Sequence, residues 1–438
     1  VPNIATVRWA RAATPNLRRW FVTTSACLAL LILLAGCAPT RHYEAARVLQ
    51  DIAAEQGDSR LKQTRPAPLR QAITYSVSGR SHRADLYLPG PLAGCVENCP
   101  RAALVAVPGA VPLASSDPRF TAFATTLARA GFAVLAPEMP GFRQMRVRPS
   151  DAREIADAFD YLASRPELSP GGRAGMFAFS YAVGPVILAA LEEDIRDRVR
   201  FVVGLGGYHD LPRAVRFFTT GWFVVPPARK PPSRPPGGPS QSWDGPAIDL
   251  SEHEGQWRQI TPDDTGRMVL VYASLDYLPD AAADRELFER MVALRSRDPQ
   301  ADLAPLAAGL SAAGKAVYAL AVNSDPARFP ELLAGLPEAM RADIDRLNLA
   351  RHDLKPLKAR LYLVHGRNDN LIPYPESLAL AAAVPEGQAE VFLIHRVLGH
   401  VDLSFSNLLS WHFWREDLPD LWRLWRVIDL LLAEREAR

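Results

Sequence analysis

Ser180 stands in Met176-Phe177-Ala178-Phe179-Ser180-Tyr181-Ala182-Val183-Gly184, between an apolar run of strand character and an apolar run of helix character. A serine on a sharp strand-to-helix turn has its hydroxyl lifted above the sheet edge, where it serves as a nucleophile once a base takes its proton. Small residues must flank such a turn because backbone segments crowd there. Both flanks are alanine, Ala178 and Ala182, which fit less freely than glycine. Taken alone, the plainer reading of this serine is a helix cap. Two further residues change that. Leu361-Tyr362-Leu363-Val364 is an apolar strand running into His365-Gly366-Arg367-Asn368-Asp369, and a carboxylate on that turn can orient an imidazole and stabilise it when charged. One strand later, Leu398-Gly399-His400 puts a histidine on a loop at the same sheet edge. Nucleophile, acid and base in this order suit acyl transfer: His400 takes the Ser180 proton, and Asp369 holds His400.

Rival residues have plainer readings. His209 and Asp210 follow a strand and form a possible base–acid pair, but Asp210 before Leu211-Pro212 also suits a helix start. His365 reads as structural, setting the acid turn. Glu138, in Pro137-Glu138-Met139-Pro140, either faces the pocket or pins its own loop.

The elements that must carry these residues alternate. Ile73–Val77 and Ala84–Leu88 have the period-two pattern of outer strands. Ala102–Val107, Phe132–Ala136, Ala174–Phe179 and Phe201–Leu205 are short, nearly unbroken apolar runs, as expected of strands covered on both faces. Helices are expected over Pro118–Ala130, Ile155–Ala163 and Tyr181–Glu193. This rhythm predicts a mainly parallel sheet with helices on both faces. It breaks near Asp210. Residues 225 to 248 are crowded with proline, glycine and serine, and Gly266 to Arg351 is helical in pattern. The sheet resumes at Leu361–Val364, a helix at Glu376–Ala383, and Val391–Ile394. The predicted divisions are 69–210 and 356–438 for the two parts of one core, with 211–355 a Pro-rich segment and helical cap inserted between late strands.

Phe179-Ser180-Tyr181 and Val364-His365-Gly366-Arg367-Asn368-Asp369-Asn370-Leu371-Ile372-Pro373 resemble the serine elbow and the acid loop of the α/β-hydrolase superfamily, in its esterase, dienelactone-hydrolase and prolyl-peptidase-like branches. The resemblance covers roughly 100 to 210 and 356 to 415. It implies an α/β-hydrolase fold, Ser180, Asp369 and His400 as catalytic residues, and no metal or organic cofactor. It also implies an oxyanion hole of two backbone N–H groups. One belongs to Tyr181. The other comes from Pro108-Gly109-Ala110-Val111, with Ala110 the first choice and Val111 the alternative. Most relatives have His-Gly at that loop where this chain has Pro-Gly.

The N-terminal region gives an address. Arg8, Arg11, Arg18 and Arg19 precede an apolar run from Trp20 to Gly36, the pattern of a secretory signal. The run ends in Leu34-Ala35-Gly36-Cys37, which looks like a bacterial lipobox. That resemblance implies cleavage before Cys37, acyl chains on Cys37, and a cell-envelope lipoprotein facing the periplasm; Ala38 in place of Asp favours the outer membrane. Residues 1–36 would then be a signal peptide and 37–68 the lipid attachment and a tether containing a short helix. Cys95 and Cys99, four residues apart in a turn-rich stretch, are expected to form a disulfide in such a compartment. The rest of the composition is that of a globular protein, with 48% hydrophobic and 22% charged residues. A formal net charge of +2 gives no field that would favour nucleic acid. Trp411, Trp414, Trp422 and Trp425 recur near a helical turn, and core packing is expected of them rather than a membrane-facing belt.

The chain thus reads as a lipid-anchored serine hydrolase of a carboxylic ester or thioester, with a small-molecule substrate. A prolyl-oligopeptidase-like peptidase is the enzyme alternative. A catalytically inactive binding lipoprotein of the same fold is the other.

Overall fold

The computed structural model describes residues 39–90, 99–225, 256–279, 281–298, 300–400 and 411–437. Two compact units make up the chain, Val1–Glu44 and Ala45–Arg438. Of the first, only residues 39–44 are described, as the start of helix α1 (Pro39–Ala54). The second holds the sheet and its helices.

Eight strands form one sheet: β1 (Leu69–Val77), β2 (Arg80–Leu88), β3 (Ala102–Val107), β4 (Phe132–Pro137), β5 (Ala174–Phe179), β6 (Phe201–Leu205), β9 (Arg360–Gly366) and β10 (Ala389–Ile394). Their order across the sheet is β1-β2-β4-β3-β5-β6-β9-β10. The first two pairings, β1 with β2 and β2 with β4, are antiparallel; every later one is parallel. All side chains of β3 and β4 are buried, which is why these strands read as continuous apolar runs. Arg80–Leu88 instead alternates towards its end, as a strand with one wet face does.

From β3 the chain moves to β4 on one side, and from β5 to β6 on the other. The carboxyl ends of β3 and β5 therefore flank the point where the winding reverses, the place where open α/β sheets hold ligands.

Both faces carry a core. One buries Ile155, Ala158 and Phe159 of α3 (Asp151–Ala163) with Val186 and Ile187 of α4 (Val183–Leu191). The other buries Ala124 and Leu127 of α2 (Pro118–Arg129) with Val427, Ile428, Leu431 and Leu432 of α11 (Leu418–Glu436). Between β6 and β9 the chain runs through helices α5 (Leu211–Thr220), α6 (Asp264–Ser274), α7 (Ala281–Arg297), α8 (Ala312–Ala321) and α9 (Glu338–Leu347); α10 (Pro375–Ala383) joins β9 to β10. The two-strand hairpin of β7 (Trp222–Val224) and β8 (Trp257–Gln259), which the sequence pattern does not announce, pairs two segments on either side of the Pro-rich stretch. That stretch lies outside the described residues, apart from Val225.

Two expectations need correction. Residues 45–65 are no tether. Ala45, Val48 and Leu61 are buried in the same core as α2 and α11, and Asp51 accepts buried hydrogen bonds from Ser59 and Thr126. Nor are the tryptophans core. Trp411, Trp414 and Trp422 are 71%, 60% and 47% exposed, whereas Trp425 is partly buried against the core. Cys99 is disulfide-bonded. Cys37 and Cys95 lie outside the described residues.

Candidate active site

Ser180 has φ +55°, a left-handed conformation that a residue with a Cβ adopts at a cost of about 1–2 kcal/mol. It follows β5 directly and opens a single 3₁₀ turn, Ser180–Ala182, that leads into α4. Ala178 and Ala182 are both fully buried, so the turn accommodates a methyl group on each side. Tyr181 points under the turn, where its hydroxyl donates to the buried carboxyl of Asp151 (3.2 Å). The Arg148 N–H donates to the same oxygen (2.9 Å). Burial nevertheless dominates, pushing the Asp151 pKa up to about 7.

The acid turn is held from several sides. Asp369 is 1% exposed; its Oδ1 accepts the N–H groups of Leu371 (2.8 Å) and Ile372 (2.9 Å), and its Oδ2 accepts from His400 Nδ1 (2.7 Å). Burial alone would raise its pKa, but the charge and hydrogen bonds of His400 and His365 outweigh burial and hold it below the usual carboxylate range. His365 lies 3.3 Å from Asp369 Oδ2. Its Nε2 donates to the Ile372 carbonyl (2.8 Å) and its Nδ1 accepts from Ser377 Oγ (2.7 Å), so it pins the turn from beneath.

Close approach brings the acid and base loops together. A Cβ on Gly366, the last residue of β9, would lie 2.2 Å from the Gly399 carbonyl oxygen and 2.5 Å from that of Leu398, so only glycine fits there. The entry to the base loop is fixed by Asp420, fully buried in α11, whose Oδ2 accepts the N–H groups of Arg396 (2.8 Å) and Val397 (3.3 Å). The His400 ring packs over the end of β6, with Cε1 3.1 Å from where a Cβ of Gly206 would stand.

Ser180 and His400 line one cavity of ≈ 600 Å³ at the carboxyl edge of the sheet. Gly109, Ala110, Val111 and Tyr181 line it as well. Gly109 passes close enough that a Cβ on it would sit 3.5 Å from Ser180 Cβ. The Val111 N–H donates back to the Gly109 carbonyl (3.0 Å), which leaves Ala110 as the better donor in this loop. The roof comes from the inserted helices and is mostly apolar, with Val215 and Phe218 of α5, Leu270 of α6, and Met340, Ile344 and Leu347 of α9, although Asp343 of α9 lines it too. Among the described residues no group of three His, Cys, Asp or Glu side chains is arranged to hold a metal ion.

The rival residues are engaged elsewhere. Asp210 caps α5 by accepting the Arg213 N–H (3.0 Å). Burial, then the Arg213 charge, lowers the His209 pKa to about 4. Neither residue lines the cavity, nor does Glu138, which pairs with Arg143 (3.7 Å). Sequence reasoning misses Asp151, Glu376 and Asp420. Each is an acid in the first turn of a helix, where a solvated carboxylate is just as much expected, and nothing local in the sequence separates the two.

No protein-family profile and no curated protein sequence matches this chain. Solved structures do. A putative hydrolase from Legionella pneumophila aligns at 12% identity and TM-score 0.47, over 86% of this chain and 94% of its own. The esterase domain of a Rhodothermus marinus protein aligns at 13% and 0.38, over 84% and 98%. The acylaminoacyl peptidase of Pyrococcus horikoshii aligns at 11% and 0.40, over 85% and 42%. Eight strands in this order, parallel from β4 to β10, with helices on both faces and a left-handed serine turn after β5, make this an α/β-hydrolase fold.

Proposed function

We propose that the chain is a serine hydrolase that cleaves a carboxylic ester or thioester through an acyl-enzyme on Ser180. The observation that carries this reading is the 2.7 Å hydrogen bond from His400 Nδ1 to buried Asp369, on the rim of the cavity that Ser180 also lines. With Nδ1–H committed to the carboxylate, Nε2 bears the basic lone pair. It takes the Ser180 proton as Oγ attacks the acyl carbon, then delivers it to the leaving alcohol or thiol. The N–H groups of Tyr181 and Ala110 receive the oxyanion. Water, deprotonated by His400, then releases the acid and restores Ser180. The mostly apolar roof suits an uncharged acyl group better than a charged one.

We further propose that the enzyme is held at the bacterial cell envelope by acyl chains on Cys37. The basic leader, the apolar run and Leu34-Ala35-Gly36-Cys37 support that address.

A fluorophosphonate probe tests the nucleophile without knowledge of the substrate. The expected result is one adduct on Ser180, together with hydrolysis of p-nitrophenyl esters that falls at least ~10⁴-fold in Ser180→Ala. Equal rates in both proteins and no adduct would overturn the enzyme reading in favour of a binding protein.

A further inference from the structure

The C-terminal helical segment has a face that the interior does not use. Leu424, Val427, Ile428, Leu431 and Leu432 of α11 are buried against the sheet. On the outside stand Trp411, Trp414, Leu418 and Trp422, between 43% and 71% exposed. Scattered exposed hydrophobes need no explanation, but three indoles and a leucine within twelve residues form a patch. Their spacing of three, four and four residues puts successive members about a helical turn apart. Trp422 is further steadied by stacking on Trp425, with centroids 4.6 Å apart.

We propose that this face seats in the headgroup layer of an anionic phospholipid bilayer. Indole carries a large apolar body with one N–H donor, and it concentrates at the boundary between headgroups and acyl chains rather than in the hydrocarbon centre. The charges agree. Arg415 is exposed beside the tryptophans, while Asp417 and Asp420 on the same segment are buried and Glu416 is paired with Arg396 (3.2 Å). The bilayer side thus presents Arg415 and the indoles, with its acids buried or paired. Among the described residues no helix is long and apolar enough to cross a membrane, so the contact is with the surface.

Chain length favours a bilayer over a second copy of the protein. Ala45, where the second compact unit begins, is eight residues on from Cys37. Even fully extended, that stretch reaches only about 28 Å. Given the proposed lipid at Cys37, on which the distance depends, a domain so tethered stays within a molecular diameter of the membrane. A weak interfacial face then acts at high effective concentration, which a free protein would lack.

The test uses the full-length chain, purified from membranes and reconstituted in phosphatidylethanolamine–phosphatidylglycerol vesicles containing brominated lipid. Tryptophan fluorescence should be quenched, more by bromine near the headgroup than by bromine near the chain end. In Trp411→Gln/Trp414→Gln/Trp422→Gln the quenched signal should shrink about two-fold, since four of the seven tryptophans that follow Cys37 remain. The thermal midpoint reports folding of the triple variant, and Trp411→Gln alone serves if that variant melts early. Equal quenching in wild type and variant overturns the proposal. So does self-association that the variant abolishes without any lipid quenching, since the face then belongs to a second copy. Mass spectrometry of Cys37 on the same sample separates the two ideas. A lipidated chain without indole quenching sinks the face and leaves the anchor, whereas quenching without lipid does the reverse.

Discussion

One carboxylate oxygen of Glu376 accepts both the His209 N–H (3.0 Å) and the Asp210 N–H (2.7 Å). The acid sits on α10, just beyond the Asp369 turn, and the two amides open the long insertion. Arg213 of α5 reaches the other oxygen, Nε to Oε1 at 3.0 Å. The segment that follows the Asp369 turn and the first residues of the insertion are therefore tied through one buried side chain. The tie is reinforced where the Asp263 N–H donates to the carbonyl of Asn370 (2.8 Å), the residue after Asp369.

Removing that acid leaves buried N–H groups without a partner, at about 1–3 kcal/mol each. Glu376→Ala should melt several degrees below wild type. Glu376→Gln keeps an oxygen for the amides and should recover most of the loss. Burial raises the Glu376 pKa and Arg213 opposes it. A group with a raised value stabilises the fold less as pH climbs, so the deficit of the alanine variant should narrow on the alkaline side. Thermal melts of the three proteins across pH would check this; equal midpoints for alanine and wild type would contradict it.

The left-handed turn at Ser180 makes a second prediction. Replacing a strained L-residue by glycine relieves about 1 kcal/mol or more at such a site, against the extra freedom glycine has when unfolded. Ser180→Gly and Ser180→Ala should both be inactive. The glycine variant should nonetheless unfold at the same or higher denaturant concentration than the alanine one. Urea titration of the pair decides it, and an alanine variant clearly more stable than the glycine one would mean that the turn stores no strain.

Asp151, beneath Tyr181, gives a pH signature. Its pKa of about 7 lies above the ordinary carboxylate value because the folded state favours the neutral form. The stability this confers is complete below about pH 4 and is lost as pH rises through 7, a span worth roughly 4 kcal/mol if the whole shift is realised. Asp151→Asn cannot ionise. Relative to that variant, the wild type should therefore lose stability steadily between about pH 4 and 7. Parallel curves for the two proteins would show that Asp151 stays charged.

How far the sequence can be read depends on what each signal measures. Ala102–Val107, Ala174–Phe179 and Phe201–Leu205 coincide with strands β3, β5 and β6, because a strand buried on both faces must be apolar from end to end and is bounded by turns. The placement of Ser180, Asp369 and His400 is legible because each stands past a strand, at a turn whose residues are unlike the strand's. The tryptophans mislead for a physical reason. Periodicity marks one side of a helix as apolar but does not say which apolar side meets the core, and here Val427, Ile428 and Leu431 do. The start of the domain misleads for another: Ala45 and Val48 are small residues in a polar stretch, and burial of that helix shows only when Leu61 and the β3–β4 face are beside it. The β7–β8 pair and the buried acids Glu376 and Asp420 depend on partners far along the chain, which no local window contains.

The strand order also governs assembly in time. β6 ends at Leu205 and its neighbour β9 begins at Arg360, so residues 206–359 must be made before the two can pair. Until then the newly formed edge of β6 is open, with unpaired amides and carbonyls ready to join any other strand. Ser180 lies in the first half of the chain, while Asp369 and His400 follow β9 in its last stretch. On the proposed mechanism, an incomplete or half-folded chain thus carries Ser180 without the Asp369–His400 pair, and stays chemically silent until the second half of the sheet has docked.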